Sequence, residues 1–236
     1  MRMSSVIITI EQLNPSVRSI PLPHRMRMRP VSRQGYPVPY FVARRDGEWD
    51  FRFILPGTVM RCMEKNLCWM CGKPLGTYKA FVAGPMCVVT STSAEPPNHL
   101  ECARYAALAC PFLTQPARRR NIEGMEDVET RDSPGLMIMR NPGCVAVLVT
   151  KSWRAFRDGK GGVLIRMGEP ENVEWYAHRR KATLEEVTES IYSGVPILKD
   201  ASPKNEHDEI DERIRAVSRW LPHPTPASAT MIGGAA

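Results

Sequence analysis

The sequence predicts an α+β protein in which antiparallel β-hairpins surround a metal-binding unit and two amphipathic helices follow towards the C-terminus. Three observations favour this class. Asp46-Gly47 lies between alternating apolar residues, which is the strongest short signal for a hairpin. Two short pairs of Cys and His residues lie in the middle third of the chain, and apolar residues recur at helical spacing after residue 183.

Composition limits the class of protein further. The chain has 236 residues, of which 43% are hydrophobic and 24% charged, as is ordinary for a globular protein. No apolar run approaches the roughly 20 residues that span a bilayer, so we expect no membrane association. Seven Cys residues, four of them spaced like metal ligands, fit a reducing compartment and predict a cytoplasmic location.

Proline content and charge changes divide the chain into five predicted segments. We expect an irregular basic arm over 1–35, a hairpin with a metal-binding module over 36–120, a linker over 121–135, antiparallel strands followed by two helices over 136–221, and a disordered tail over 222–236.

The elements follow from local patterns, taken in chain order. A hairpin is predicted at 40–44 and 49–53, a short helix at 58–65, strands at 136–139, 144–150 and 173–177, and a second hairpin at 153–156 and 163–166. Thr183 and Glu186 form a capping box for a helix that we expect to end at Gly194-Val195-Pro196. A final amphipathic helix is predicted over 203–220.

The two Cys/His pairs predict a bound zinc ion. Cys68 and Cys71 form a C-x-x-C pair, and His99 and Cys102 form an H-x-x-C pair. Zinc in structural sites takes four Cys or His ligands in a tetrahedron, whereas a catalytic zinc keeps one position open for water. Four protein ligands therefore predict a closed, structural zinc.

Local sequence explains how each pair reaches one ion. Gly72 supports a sharp turn after Cys71, and Pro96-Pro97 prevents a helix before Asn98, which we expect to be the N-cap of a helix carrying His99 and Cys102. Between the pairs, 77–83 and 86–92 are interpreted as two strands around Gly84-Pro85. A knuckle, a hairpin and a ligand-bearing helix in this order resemble a treble-clef zinc finger over about residues 66–113.

The other cysteines leave one alternative open. Cys87 lies in the expected hairpin and competes with His99 as a ligand, while Cys62, Cys110 and Cys144 are interpreted as buried core residues.

Enzymatic alternatives use the same metal. Treble-clef nucleases carry a catalytic His on the hairpin, but no His lies between Gly72 and Asn98. Zinc deaminases carry H-x-E, which His99-Leu100-Glu101 matches formally. A zinc-dependent hydrolase or deaminase that uses Glu101 and a metal-bound water is therefore the alternative hypothesis. No other constellation of residues indicates catalysis or a small-molecule substrate.

Charge favours an interaction protein. Residues 1–120 hold 17 Lys and Arg against 7 Asp and Glu, whereas residues 121–236 are net acidic. A basic half with a zinc unit predicts binding of nucleic acid or of a protein partner. The candidate contact residues are the densest runs of arginine, namely Arg25, Arg27, Arg29, Arg118, Arg119 and Arg120. A structural or assembly subunit is the third hypothesis.

Aromatic residues near the first hairpin allow a second surface. Aromatic side chains close to arginines can stack on the bases of a nucleic acid. We interpret the aromatic residues of this region instead as the core of the hairpin. These residues are Tyr36, Tyr40, Phe41 and Trp49, near Arg44, Arg45 and Arg52.

The metal-binding module contains a series of short motifs: Cys68-Trp69-Met70-Cys71-Gly72, Gly84-Pro85-Met86-Cys87, Ala94-Glu95-Pro96-Pro97, His99-Leu100-Glu101-Cys102-Ala103-Arg104-Tyr105-Ala106 and Cys110-Pro111-Phe112-Leu113. Together these motifs resemble those of a group of uncharacterised bacterial and phage-encoded proteins. The segment 35–43 belongs to the same pattern. The resemblance implies a bacterial or viral cytoplasmic setting and carries over no functional residue.

Overall fold

The computed structural model describes residues 7–114, 135, 142–159 and 161–223. Within them the chain forms a mixed α+β structure with antiparallel sheets. Its strands are β1 Val42–Arg45, β2 Glu48–Ile54, β3 Lys79–Ala83, β4 Thr92–Ser93, β5 Val145–Thr150, β6 Trp153–Arg157, β7 Val163–Met167, β8 Pro170–Ala177 and β9 Arg180–Lys181. Its α-helices are α1 Thr58–Glu64, α2 Pro85–Val89, α3 Leu100–Ala109, α4 Pro111–Thr114, α5 Leu184–Asp200 and α6 His207–Val217.

The first 30 described residues contain three short 3-10 helices and no strand, in keeping with their frequent prolines. They are nonetheless packed against the rest of the chain. Val17 and Met26 are fully buried, and the Ile8 amide donates to the Arg27 carbonyl at 2.8 Å. The segment therefore covers one face of the protein.

The first predicted hairpin is confirmed. β1 pairs with β2, and Asp46 and Gly47 have φ values of 51° and 83°. Positive φ at both central residues is what a type I′ hairpin turn requires. The helix predicted at 58–65 is also present, as α1.

The main sheet has the strand order β3-β5-β8-β9, with all pairs antiparallel. β5 is buried at every position because both of its faces are covered. Val145 and Val147 pack towards α3, while Ala146 and Leu148 belong to a second apolar cluster with α2, α5 and α6. The predicted strands at 144–150 and 173–177 are thus confirmed as neighbours in one sheet.

A smaller sheet has the order β4-β7-β6, in which β6 and β7 form the second predicted hairpin. Ile165 on β7 is 1% exposed and joins the same apolar cluster as Leu148. The two sheets therefore share one core.

The prediction of a β-hairpin between the two Cys/His pairs is wrong. β3 pairs with β5, and Gly84-Pro85 begins α2 instead of a turn between two strands. Gly84 is the N-cap, and Pro85 occupies the first helical position, where a missing N–H leaves no hydrogen bond unmade. The unit between the ligand pairs is therefore a strand followed by a short helix.

The end expected for the first C-terminal helix is also wrong. α5 begins at the predicted capping box but continues through Pro196 to Asp200. Val187, Ile191 and Leu198 lie on one buried stripe, so continued helix places Leu198 in the core. The apolar contact that this provides offsets the hydrogen bond that Pro196 cannot donate.

Three predicted segments lie outside the described residues: the strand at 136–139, the linker at 121–135 except residue 135, and the tail from residue 224. None of the helices in the described ranges combines the length and the apolar character that crossing a bilayer would need.

Candidate metal centre

Four predicted ligands meet at one buried point. The thiols of Cys68, Cys71 and Cys102 and the imidazole of His99 offer ligand atoms that all lie within 4.8 Å of one another. The three cysteines are at most 3% exposed and His99 is 8% exposed. Ligands at about 2.0–2.3 Å from a metal in a tetrahedron are separated by roughly 3.3–3.8 Å, so the four-donor cluster matches the size of such a site.

The first pair lies in a tight loop between α1 and β3. The Gly72 amide donates to the Cys68 carbonyl at 2.8 Å, and the Cys71 amide points at the Cys68 sulfur at 3.4 Å. Gly72 has φ +73°, and a Cβ there would come within 2.7 Å of the Tyr40 ring. The loop needs glycine at this place for both reasons.

The second pair lies at the start of α3. His99 is the N-cap of the helix, and Cys102 is in its first turn. The spacing i, i+3 puts both side chains on the same side of the helix. Asn98, which we expected to be the N-cap, instead lies one residue before it.

Asn98 has a different task in the structure. Its backbone pairs with Ala80 of β3 in both directions, at 2.7 and 2.8 Å, and its side-chain oxygen accepts from the Met70 amide at 3.1 Å. This buried side chain therefore ties the loop of the first pair to the residue that precedes the second pair. Sequence analysis missed this role, for which the only signal was its position between Pro97 and His99.

His99 is held in the orientation that a metal ligand needs. Its Nε2 donates to the Pro74 carbonyl at 2.9 Å, and its Nδ1 lies 3.4 Å from the Cys71 sulfur. A hydrogen bond from one ring nitrogen to a backbone carbonyl leaves the lone pair on the other nitrogen free for a metal. Nδ1 is thus the ligand atom that faces the thiols.

The electrostatics of the cluster favour a cation. Hydrogen bonds with Cys102 and Cys68 lower the pKa of the Cys71 thiol, whereas hydrogen bonds with Cys68 and Cys71 raise the pKa of the Cys102 thiol. Hydrogen bonds with Cys68 and Cys71 also raise the pKa of His99, to about 10. The donors compete for protons in a buried space, and a divalent metal replaces those protons when it binds.

The donor set also limits which metal fits. Thiolate and imidazole are soft or borderline ligands, whereas calcium and magnesium require oxygen ligands. The cluster can therefore hold a divalent ion that prefers sulfur and nitrogen ligands. Its ligands would be Cys68, Cys71, Cys102 and His99 Nδ1.

Cys87, the rival to His99, is not in the cluster. It lies in α2 and packs against the apolar core formed by the two sheets. Burial raises the pKa of its thiol. Among the residues that the structure describes, His99 is therefore the fourth donor that accompanies the three cysteines.

The predicted arginines are distributed unevenly. Arg25 forms an ion pair with Glu101, and Arg27 is exposed. Arg29 donates to the carbonyls of Val38 and Pro39 at 2.9 and 3.1 Å, so its guanidinium is used inside the protein. The remaining three, at 118–120, lie outside the described residues.

Glu101, the acid–base candidate of the enzymatic hypothesis, is engaged in an ion pair and is not one of the four donors. Its carboxylate contacts Arg25, and its side chain is 42% exposed. A proton shuttle for a metal-bound water has to lie within hydrogen-bond reach of that water.

The aromatic residues of the first hairpin divide into two groups. Phe41 stacks on the buried Trp69 with ring centroids 4.5 Å apart, as expected for core residues. Trp49 lies under Arg44 at 4.3 Å, and Phe51 is 43% exposed. The hairpin therefore contributes core residues only at its base.

Comparison with known proteins does not extend these observations. No protein family model matches the chain, and neither a curated protein nor a solved structure is significantly similar to it.

Proposed function

We propose that the chain is a zinc-stabilised, non-enzymatic binding protein whose partner is a nucleic acid. The observation that carries this proposal is the buried four-donor cluster, together with the basic segment that packs directly on it. Met26 is fully buried in the same apolar cluster as the three cysteines. It therefore fixes its neighbours Arg25 and Arg27 on the surface beside the metal site.

Zinc is the ion that best fits three thiolates and one imidazole. Structural zinc sites are closed and tetrahedral, with Cys₃His among their usual ligand sets. The loop with Cys68 and Cys71 and the helix that begins at His99 correspond to the knuckle and the helix of a treble clef. β3 and α2 stand where that fold has its hairpin, so we propose a treble-clef-like unit with this difference.

The ligand count and the position of Glu101 support a non-enzymatic role. Four protein ligands leave no position for a water molecule on a tetrahedral ion. Glu101 is engaged by Arg25 at the surface.

Nucleic acid is favoured by the charge of the segment next to the site. Residues 7–35 contain five arginines and one glutamate. Arg25 pairs with Glu101 and Arg29 is used inside the protein, whereas Arg27 and, in the loop of the first pair, Lys73 are exposed. The β1–β2 hairpin is a weaker candidate, because its three arginines are balanced by Asp46, Glu48 and Asp50. Clustered cations on one face are the electrostatic signature of a phosphate backbone partner.

X-ray absorption of the purified protein tests the zinc site. We expect about three sulfur ligands near 2.3 Å and one nitrogen near 2.0 Å. Replacement of one sulfur by an exchangeable oxygen would contradict a closed site and would reopen the enzymatic hypothesis.

Fluorescence anisotropy with labelled single- and double-stranded oligonucleotides tests the partner. The double variant Arg25→Gln/Arg27→Gln should bind several-fold more weakly than the unmodified chain at low salt, and the slope of log K against log salt should decrease by about 1.5–2 because two phosphate contacts are lost. The matched control is Lys204→Gln/Arg215→Gln, which removes two exposed charges near and on α6. Absence of binding at low salt, or an equal loss in the control, would reject nucleic acid as the partner and leave the zinc site standing.

A further inference from the structure

A cleft that shares no lining residue with the four-donor cluster carries a second cluster of positive charge. It lies between β7, α6 and the turn that follows α2, and its volume is about 300 Å³. Three arginines line it: Arg166 of β7, Arg213 of α6, and Arg219 in the 3-10 helix that follows α6. We call this feature the arginine cleft.

Two of these arginines converge on a single backbone oxygen. Arg166 donates to the Thr90 carbonyl at 2.7 Å, and Arg213 donates to the same carbonyl at 3.5 Å. A third cation is close to them, because Arg154 stands directly opposite Arg166 in the β6–β7 pair. Like charges facing each other across two strands destabilise a sheet, so this arrangement has a cost in the folded chain.

The carboxylates near the arginine cleft neutralise its charge only in part. Glu209 binds Arg213 at 2.5 Å, one helical turn away on α6. Glu169 approaches Arg219 at 3.3 Å, but its side chain is 89% exposed. Within the described part of the chain, Arg166 has no carboxylate partner. Burial lowers the pKa of the Arg166 guanidinium, the charges of Arg213 and Arg154 lower it further, and the charge of Glu209 acts in the opposite direction.

Part of the remaining cleft wall is apolar, and Ser91 and Glu169 also line it. The apolar residues beside the arginines are Val88 and Val89 of α2, Ala216 and Val217 of α6, and Trp220 in the short 3-10 helix that follows α6. An apolar wall next to a few convergent polar groups is typical of a site for a small molecule, and a volume of about 300 Å³ is at the lower limit for such sites.

We propose that the arginine cleft binds a small phosphate monoester, with its phosphate between Arg166 and Arg213 and its apolar part on Val88 and Trp220. A guanidinium has five N–H donors, and Thr90 uses only one from each of the two arginines. A doubly charged phosphate monoester can accept from both guanidiniums at once and offsets the repulsion between them. The proposal does not depend on the metal site or on nucleic-acid binding.

Isothermal titration of the full-length zinc-loaded protein tests this proposal with phenyl phosphate as the probe. Phenyl phosphate should bind at least tenfold more tightly than inorganic phosphate, because only the former contacts the apolar wall. Phenol should not bind, because it lacks the charge. Dimethyl phosphate, a diester like the nucleic-acid backbone, should bind more weakly than phenyl phosphate. Equal or tighter binding of dimethyl phosphate would assign the site to a nucleic-acid backbone and overturn the small-molecule proposal.

Arg213→Gln provides the variant test. It should weaken phenyl phosphate binding by tenfold or more, whereas Arg215→Gln, two residues along α6 and outside the cleft lining, should leave it unchanged. Thermal unfolding supplies a readout that needs no variant: phenyl phosphate should raise the Tm of the unmodified protein, and phenol at the same concentration should not. No binding of phenyl phosphate at millimolar concentration, or equal weakening by Arg215→Gln, would refute the proposal.

Discussion

Residues 7–75 and residues 142–223 differ in how much regular structure they use to bury their apolar side chains. The first region has two strands that pair only with each other and one helix of seven residues. The second region, within its described residues, has five strands, which belong to two sheets. It also has two longer helices, of 17 and 11 residues.

The cores of the two regions differ accordingly. In the first, Leu13, Val17, Met26 and Leu75 pack around the thiols of the four-donor cluster. In the second, Leu148, Ile165 and Trp175 pack with helical side chains and with no metal ligand among them. A segment that cannot bury enough apolar surface in regular elements can be held together by a metal, whose binding free energy becomes folding free energy.

The largest expected effect comes from removing one metal ligand. Cys102→Ser should abolish stoichiometric zinc binding and unfold much of residues 7–75. Structural zinc contributes about 10–16 kcal/mol in zinc-finger peptides, which is as large as the whole stability of a typical domain at about 5–15 kcal/mol. Metal analysis and hydrogen exchange together check this outcome, with the amides of Cys68 and Gly72 as the reporters.

Two further variants show whether the contrast between the regions is real. Cys62→Ala removes a buried thiol that is outside the four-donor cluster and should keep the zinc. Leu148→Ala empties a buried site in β5 and should lower the free energy of unfolding by about 2–5 kcal/mol while zinc content stays at one per chain. The comparison breaks down if Cys102→Ser retains amide protection in the loop of the first pair.

A charged contact joins α3, the helix that carries Cys102, to the second region and predicts a smaller, pH-dependent effect. Glu174 of β8 accepts from Arg104 of α3 at 2.9 Å and from Lys181 and Tyr176 at 2.9 and 2.5 Å. Hydrogen bonds from Arg104 lower the pKa of Glu174 to about 2. A lowered carboxyl pKa stabilises the fold above the unfolded-state value of about 4.3, and this contribution is lost as pH falls towards the folded-state value.

Glu174→Gln should therefore lower the free energy of unfolding by about 1–3 kcal/mol at pH 7, with little difference from the unmodified chain near pH 2. Urea unfolding of both proteins at several pH values measures the difference between their free energies of unfolding. Loss of metal at low pH affects both proteins equally and therefore cancels in this difference. Glu171→Gln, at an exposed position of the same strand, is the matched control and should change the free energy by less than about 1 kcal/mol. A difference that stays constant between pH 5 and pH 2.5 would contradict the role of the charge.

Local sequence was sufficient where one short pattern has one structural outcome. Two-residue spacings within the Cys/His pairs predicted which donors meet, and Asp46-Gly47 predicted the first hairpin with its two positive φ values. Thr183 and Glu186 predicted the start of α5. In each case the atoms that make the interaction are within a few residues of one another, or belong to the four-donor cluster.

Sequence was insufficient where distant contacts decide between two local outcomes. Gly84-Pro85 suits both a turn and a helix start, and the pairing of β3 with β5, more than 60 residues away, leaves the helix as the outcome. Pro196 ends a helix by itself, but burial of Leu198 extends α5 past it. In sequence Arg29 is indistinguishable from Arg25 and Arg27. Only the fold shows that its guanidinium donates to the carbonyls of residues 38 and 39.

The smallest expected effect separates backbone strain from packing at the metal loop. Gly72 and Gly47 both have positive φ, at +73° and +83°, so alanine at either should cost about 1–2 kcal/mol from strain alone. Only at Gly72 does the added Cβ meet another group, the Tyr40 ring at 2.7 Å; at Gly47 nothing lies within 4 Å. Gly72→Ala should therefore cost about 1 kcal/mol more than Gly47→Ala, and it should also speed zinc release to a chelator, because the loop carrying Cys68 and Cys71 has to shift. Adding Tyr40→Ala to each variant completes a double-mutant cycle. Removal of the ring should recover the extra cost at Gly72 and leave the cost at Gly47 unchanged, whereas equal costs in the two single variants would mean that the ring moves aside freely and that Tyr40 does not hold the metal loop.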